Sequence, residues 1–258
     1  MSSNKRKFSI IHSDTPKSIE IYKKVKNIVS VVDISDGPDA LIVIGGDGEM
    51  LHSLHKYHHL NIDFIGLNAG SIGFLMNKSI SKELFFEENV VNIVVLHPLE
   101  MTSSDIYGTK DVKLAFNEVS IYRSTNQASK ISININDIQQ IDELVSDGII
   151  ISTPAGSSAY NFSAGGMIVP LESKVICMTP ICPFRPRRWR GAILPESAVI
   201  RLEVLEHEKR PANAVADFNE LENVVNITIR QQNKISVRLL FSKNSALNDR
   251  MIKEQFMV

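Results

Sequence analysis

The hydrophobic positions of the chain follow two different rhythms. In the first hundred or so residues, continuous apolar runs of strand length alternate with stretches that carry apolar residues at helical spacing. From His97-Pro98 to about residue 236, short strand-like segments are separated by frequent turns. The first rhythm predicts a parallel sheet with crossover helices, whereas the second predicts an antiparallel β domain.

These patterns predict individual elements and a domain boundary. Strands are expected at 8–13, 40–44, 63–68, 113–123, 130–135, 147–152, 199–205 and 223–230, and helices at 17–29 and 48–57. A last helix is predicted at 245–256, and a helix that follows a β domain often docks elsewhere. We therefore expect an α/β, Rossmann-like domain over residues 1–98 and an all-β domain over residues 99–236, with the tail 237–258 returning to the first domain.

Composition narrows the classes of function. A net charge of −1 over 258 residues gives no field that would select nucleic acid or an anionic membrane. The apolar runs are far shorter than a membrane span, and the first residues lack the apolar stretch of a signal peptide. Two cysteines, Cys177 and Cys182, cannot form a disulfide framework. We therefore expect a cytoplasmic protein with neither nucleic acid nor membrane as a partner.

The first segment with candidate chemistry is Gly45-Gly46-Asp47-Gly48, which lies between a predicted strand and a predicted helix. Glycines allow backbone N–H groups to approach a ligand closely, and the N-terminus of a helix favours anions such as phosphate. The segment has neither the GK[ST] ending of a P-loop nor the spacing of the dinucleotide fingerprint. The alternative is a tight turn in which Asp47 caps the helix.

Two further segments are rich in glycine or hydroxyl groups. Gly70 and Gly73 follow the third predicted strand, so both glycine turns are expected at the same edge of a parallel sheet. Residues 146–170 combine many serines and glycines with Tyr160, which suits contact with a polar planar ligand better than a core. The alternative for this segment is a Ser/Gly loop without a ligand.

Taken together, these segments resemble the motif set of the NAD kinases. The match comprises GGDG, a Gly-x-x-Gly-Phe turn ending at Phe74, the pair Asn117-Glu118, and D-G-x-x-x-STP-x-GSSAY followed by SAGG, in the family's order over most of the chain. The resemblance implies transfer of the γ-phosphate of ATP to the 2′-hydroxyl of the adenosine ribose of NAD. It also implies an α/β domain followed by a β-rich domain, and subunits that pair as homodimers or homotetramers.

The resemblance further implies roles for individual residues. Asp47 is expected to be the catalytic acid–base residue, and Mg²⁺ is expected to arrive with ATP because no dedicated set of metal ligands is visible. The residues expected to bind the nucleotides are Gly45, Gly46, Gly48, Phe74, Asn117, Glu118, Asp147, Ser158, Ala159, Tyr160, Asn161, Phe162, Ser163, Cys182 and Asn219. Whether ATP or polyphosphate is the donor stays open at this point.

The sequence departs from the family pattern at two places. Glu49 stands where the family usually has Thr, and Asp217-Phe218-Asn219 stands where it commonly has Asp-Gly-Gln. A second carboxylate near a triphosphate is unfavourable, so we expect Glu49 to turn away from the phosphates or to face them through a metal ion. Two functions are alternatives to an NAD kinase. One is a GGDG-type lipid kinase, and the other is a dinucleotide-binding sensor that lost catalysis through Glu49. Four arginines lie close together at Arg185, Arg187, Arg188 and Arg190. This cluster predicts a subunit interface or ion pairs within the chain, and the alternative is a contact with the pyrophosphate of a dinucleotide.

Overall fold

The computed structural model describes residues 6–70, 73–78, 80–86, 91–243 and 252–256. The chain divides into two compact units. The first comprises Met1–Leu96 and Ile235–Val258, and the second comprises His97–Lys234.

The first unit is built on a six-stranded sheet. Its strands are β1 (Lys7–His12), β2 (Ser30–Val31), β3 (Ala40–Gly45), β4 (Asp63–Asn68), β5 (Val91–Leu96) and β18 (Val237–Ser242). Their order is β2-β1-β3-β4-β18-β5, and every neighbouring pair is parallel except β18 with β5. All six residues of β3 are buried, as expected for a central strand of a parallel sheet that is covered on both faces.

Helices follow the strands of this unit. They are α1 (Pro16–Lys26), α2 (Asp47–Tyr57) and the short α3 (Glu83–Phe86), with a further helical turn at 252–255. Helix α1 begins where the sequence provides a cap, because the Thr15 side chain accepts a hydrogen bond from the Ser18 N–H at 3.2 Å and Pro16 occupies the first helical position. The core of the unit packs α1 and α3 against the sheet through side chains such as Phe8, Val25 and Phe85.

The second unit contains two six-stranded antiparallel sheets. The first sheet has the order β10-β9-β14-β17-β6-β7, and the second has the order β13-β12-β11-β8-β15-β16. In chain order the strands are β6 (Leu99–Asp105), β7 (Lys110–Ala115), β8 (Glu118–Arg123), β9 (Ser129–Ile135), β10 (Ile138–Ser146), β11 (Gly148–Ser152), β12 (Val175–Ile181), β13 (Ala192–Pro195), β14 (Ile200–Val204), β15 (Ala212–Ala216), β16 (Asn219–Leu221) and β17 (Val224–Gln231). The described residues of this unit contain one short α-helix, α4 (Tyr160–Ser163), preceded by a 3₁₀ helix at Gly156–Ser158.

One apolar core joins the two sheets of the second unit. Ile131 and Leu202 contribute from the first sheet, and Val119 and Ile151 from the second. Because side chains alternate along a strand, the inward position of Val119 turns Glu118 to the opposite face of β8. On that opposite face, Glu118 lies beside Ser152, its partner across the β8–β11 ladder, and the Ser152 side chain is buried.

The expected fold class is confirmed, with corrections to single elements. The tail does return to the first sheet, but it does so as the inserted strand β18, whereas most of the predicted helix 245–256 lies outside the described residues. The predicted strand 113–123 is wrong as one element, since it divides into β7 and β8, which belong to different sheets. In the described ranges, no helix combines the length and apolar character needed to cross a membrane.

Candidate active site

The Gly45–Gly48 turn joins the end of β3 to the start of α2. Gly45 has a structural reason to be glycine, because a Cβ atom added there would lie 2.7 Å from Cβ of Glu49. Gly46 and Gly48 have none among the described residues, since an added Cβ would meet no atom within 4 Å. Neither has a positive φ that would favour glycine. Open space over two glycines at a helix N-terminus leaves room for a phosphate group.

Asp47 connects the two glycine segments. Gly46, and not Asp47, is the N-cap of α2, so the helix-cap alternative is wrong. The two oxygens of the Asp47 carboxylate instead accept hydrogen bonds from the backbone N–H groups of Phe74 at 2.8 Å and Leu75 at 2.9 Å. The N–H of Ala69 also donates to the carbonyl oxygen of Gly45 at 2.8 Å. The Phe74 side chain itself is buried. The structure thus brings the two predicted turns together and fixes the orientation of the Asp47 carboxylate.

Asn117 and Glu118 lie where the chain crosses from β7 to β8. The carboxylate of Asp217 accepts hydrogen bonds from the N–H groups of Phe116, Asn117 and Glu118 at 2.7, 3.0 and 3.1 Å. From the other side, Thr153 donates its N–H to the carbonyl oxygen of Asn117 at 2.9 Å and its hydroxyl to that of Phe116 at 2.6 Å. The crossing is therefore held by side chains from two distant parts of the sequence.

Two polar atoms at this crossing have no partner within the described part of the chain. Oδ1 of Asn117 and Oε2 of Glu118 are both buried and accept no hydrogen bond. Burial, and secondarily the nearby Asp217 carboxylate, raises the pKa of Glu118 from 4.5 to about 8. Since buried polar groups are nearly always satisfied in proteins, these two oxygens indicate that a ligand with hydrogen-bond donors belongs here.

A loop rich in small residues packs against the same crossing. A Cβ atom added to Gly156 would lie 2.3 Å from the carbonyl oxygen of Asn117, so only glycine allows this approach. Asn161 is fully buried, and its side-chain amide donates to the carbonyl oxygens of Ser157 and Met167 and accepts from the Thr179 hydroxyl. This side chain holds the loop in place.

The other predicted residues of this loop are more accessible. Tyr160 and Phe162 expose 43% and 37% of their surface, enough for either ring to contact a ligand. Ser163 is exposed as well, whereas Ser158 and Ala159 are half-buried.

The remaining predicted residues lie in turns of the second unit. Asp147 is half-buried and accepts a hydrogen bond from Nε of Arg123 at 2.6 Å. Cys182 is exposed with φ 45°, and the guanidinium groups of Arg185 and Arg187 lie over the ring of the neighbouring Phe184 at 5.5 and 5.2 Å. Asn219 is half-buried, and its amide lies 3.5 Å from the carbonyl oxygen of Ala216 within its own hairpin.

Two residues of the site were not predicted from the sequence. Thr153 and Asp217 organise the Asn117–Glu118 crossing, yet both were noted only as parts of longer motifs. Asp217 has φ 55°, so it adopts the left-handed conformation itself, and the turn forms without the glycine of the family pattern. Aspartate adopts the left-handed conformation more readily than most residues do, so the aspartate itself was the signal in the sequence that a turn could form here.

Comparison with solved structures identifies the fold. Yeast NADH kinase complexed with NADH matches 98% of this chain and 88% of its own with a TM-score of 0.77 and 20% identity. An NAD kinase from Archaeoglobus fulgidus in complex with ATP matches 96% of this chain and 98% of its own with a TM-score of 0.73 and 22% identity. The fold is that of the NAD and NADH kinases.

Sequence comparison gives the family. The ATP-NAD kinase C-terminal domain matches residues 116–247. NAD kinases of Rickettsia bellii and Rickettsia felis are each 49% identical over 253 residues, which covers 98% of this chain and 99% of theirs. The chain belongs to the NAD kinase family.

Proposed function

We propose that the chain transfers the γ-phosphate of ATP to the 2′-hydroxyl of the adenosine ribose of NAD, giving NADP and ADP. Its relatives at 49% identity are NAD kinases. The observation that carries the proposal is the fixed Asp47 carboxylate beside two glycines over which the described residues leave open space. No feature of the described residues favours the lipid kinase or the sensor.

Asp47 is the proposed proton acceptor. The backbone N–H groups of Phe74 and Leu75 hold its two oxygens, so the carboxylate is kept in a fixed orientation from which it can take the proton of the 2′-hydroxyl. As the bond from that oxygen to the γ-phosphorus forms, the bond from phosphorus to the bridging oxygen of ADP breaks and ADP leaves with its electron pair. Phosphoryl transfer depends mainly on positioning and charge neutralisation, which a rigidly held base supports.

Gly46 and Gly48 are the proposed sites of phosphate approach, and Mg²⁺ the proposed companion of ATP. Two carboxylates, Asp47 and Glu49, lie in the first turn of α2. Two negative charges ~4 Å apart repel each other by about 4 kcal/mol at an effective dielectric of 20. The helix dipole stabilises an acidic side chain in the first turn by only roughly 0.3–1 kcal/mol, so it does not offset the repulsion between Glu49 and a nearby phosphate. Among the described residues no cluster of three metal ligands occurs. Mg²⁺ binds mostly to phosphates with one or two carboxylates, so Glu49 is its proposed protein ligand, and the ion would neutralise phosphate charge.

Asn117 and Glu118 are the proposed contacts to NAD. Their buried, unpaired oxygens require hydrogen-bond donors, and ribose hydroxyl groups supply them. Tyr160 exposes enough of its ring to stack on a planar base. Asp147 is paired with Arg123, so its contact with a ribose hydroxyl stays a prediction that requires this pair to accept a third group.

The assembly and location of the protein complete the proposal. We place it in the cytoplasm, which its two unpaired cysteines support, because thiols persist in reducing compartments. We propose a homodimer or homotetramer, which the exposed aromatic side chains of Phe162 and Phe184 support. Sedimentation at micromolar concentration measures this directly, and a monomer at all concentrations would contradict it.

Replacement of Asp47 tests the proposed chemistry. NADP formation from NAD, ATP and Mg²⁺ should fall by about 10²–10⁴-fold in kcat for Asp47→Asn, while NAD still binds. Asp39→Asn is the matched control, because Asp39 also accepts a backbone N–H, that of Lys7 at 2.7 Å, within the same unit. Near-normal turnover of Asp47→Asn would remove Asp47 from its proposed role. Folded wild-type protein that binds NAD without forming NADP would favour the sensor.

A further inference from the structure

Asp217 has no assigned role in the proposed reaction, although three backbone N–H groups of the site donate to its carboxylate. It lies in the two-residue turn between β15 and β16. Besides accepting three successive N–H groups, it donates its own N–H to the carbonyl oxygen of Glu118 at 3.0 Å. Asp217 and Glu118 are therefore bonded in both directions.

The position of these bonds matters because β7 and β8 belong to different sheets. At such a crossing the backbone N–H groups leave one ladder before they join the next and need other acceptors. The Asp217 carboxylate provides them at Phe116, Asn117 and Glu118. It thereby fixes the backbone that carries both buried, unpaired oxygens.

Asp217 also acts on the charge of Glu118. The ladder partner of Glu118 on β11 is the uncharged Ser152, and the charged group that acts on it from the β15 side is Asp217. Burial, and secondarily this carboxylate, raises the pKa of Glu118 to about 8, so Glu118 is largely neutral at pH 7. A ligand that closes over Glu118 buries it further, which also favours the neutral form.

We propose that Asp217 is a positioning residue for NAD: it fixes the Asn117–Glu118 backbone so that the two buried oxygens meet hydroxyl groups of the dinucleotide. This inference rests on the proposed function, since it takes NAD as the ligand of the crossing. Asp217 acts through Asn117 and Glu118 and touches none of the reacting atoms, so its loss should raise the KM for NAD and leave kcat nearly unchanged.

The test is calorimetric titration of the full chain with NAD from pH 6 to 9. Wild-type affinity should fall as the pH rises through about 8, where Glu118 becomes charged. Glu118→Gln, which is permanently neutral, should show no such fall. Asp217→Asn should bind NAD about tenfold more weakly at pH 7, and its remaining affinity should fall at a lower pH because the anionic neighbour is gone.

Asp105→Asn is the matched control. Asp105 likewise accepts two backbone N–H groups, those of Tyr107 at 2.9 Å and Thr109 at 2.8 Å, in the hairpin at the other end of β7. It should behave as wild type. Wild-type affinity and an unchanged pH curve in Asp217→Asn would overturn the inference alone, whereas wild-type protein that fails to bind NAD would overturn the proposed function with it. If Asp217→Asn does not fold, Asp217→Glu decides, since it keeps the charge but displaces the carboxylate that accepts the three N–H groups, and wild-type affinity in it contradicts the inference.

Discussion

Gly48→Ala should separate stability from activity. Gly48 is the second residue of α2, is exposed, and has open space where a Cβ would be placed, judged against the described residues. Alanine in a helix is more favourable than glycine by about 0.5–1 kcal/mol, so the variant should unfold at higher denaturant concentration than wild type. The described residues therefore give no reason to keep glycine here, whereas a phosphate bound at this helix N-terminus, as proposed, would give one.

The expected loss of activity follows from the size of one methyl group. A Cβ projects about 1.5 Å from Cα, into the space where a phosphate oxygen would accept a backbone N–H at roughly 2.9 Å. Displacing a reacting group by about 1 Å can cost roughly 100-fold in rate, so kcat/KM for ATP should fall by about that factor.

Urea unfolding and steady-state kinetics on the same preparation measure both effects. Gly45→Ala is the contrasting variant, because its Cβ would lie 2.7 Å from Cβ of Glu49 and should lower the stability. A Gly48→Ala enzyme with wild-type kcat/KM for ATP would refute the view that this glycine admits phosphate.

Three further predictions concern single side chains. Gly156→Ala should lower the free energy of unfolding by about 1–3 kcal/mol in urea, because its Cβ would lie 2.3 Å from the backbone oxygen of Asn117; unchanged stability would contradict this packing. The raised pKa of Glu118 contributes stability that is fully present below its ordinary value of 4.5 and is lost as the pH rises to about 8. Unfolding at several pH values should therefore show a slope steeper by up to about 1.4 kcal/mol per pH unit in wild type than in Glu118→Gln, and equal slopes would refute the assignment. Glu49→Thr should raise the Mg²⁺ concentration required for half-maximal rate; an unchanged requirement and unchanged KM for ATP would exclude Glu49 as a ligand of the ion.

The parallel sheet could be predicted because its signal is local. The buried run of β3 between two polar segments is apolar throughout, which is the pattern of a strand covered on both faces. The first helix was predicted from residue 17, and its observed start at Pro16 also has a local cause, since the capping Thr15 and Pro16 are neighbours in sequence. Such elements need no information from distant parts of the chain.

The β7–β8 crossing could not be predicted in the same way. No glycine or proline interrupts Lys113–Arg123, so the segment has the pattern of one strand. What divides it is Asp217, about a hundred residues away, whose carboxylate satisfies the N–H groups at the break. The return of the tail was predicted, but strand β18 was not, because its place between β4 and β5 depends on pairing with distant segments.

Asp47 illustrates the same limit within the site. Its position after two glycines allowed both a helix cap and a catalytic base. The choice depends on the N–H groups of Phe74 and Leu75, 27 and 28 residues further along the chain. The sequence therefore identified the residue, and the structure excludes the helix cap, whereas the role of catalytic base stays a prediction.

The most direct test of the account is the fate of the γ-phosphate. Wild-type protein, NAD, Mg²⁺ and ATP labelled in the γ-phosphate should give labelled NADP with one ADP per phosphate transferred. Phosphorus NMR of the product should place the phosphate on the 2′-oxygen of the adenosine ribose. Label released as inorganic phosphate, or NADP without label, from protein that is folded and binds both nucleotides would contradict the account.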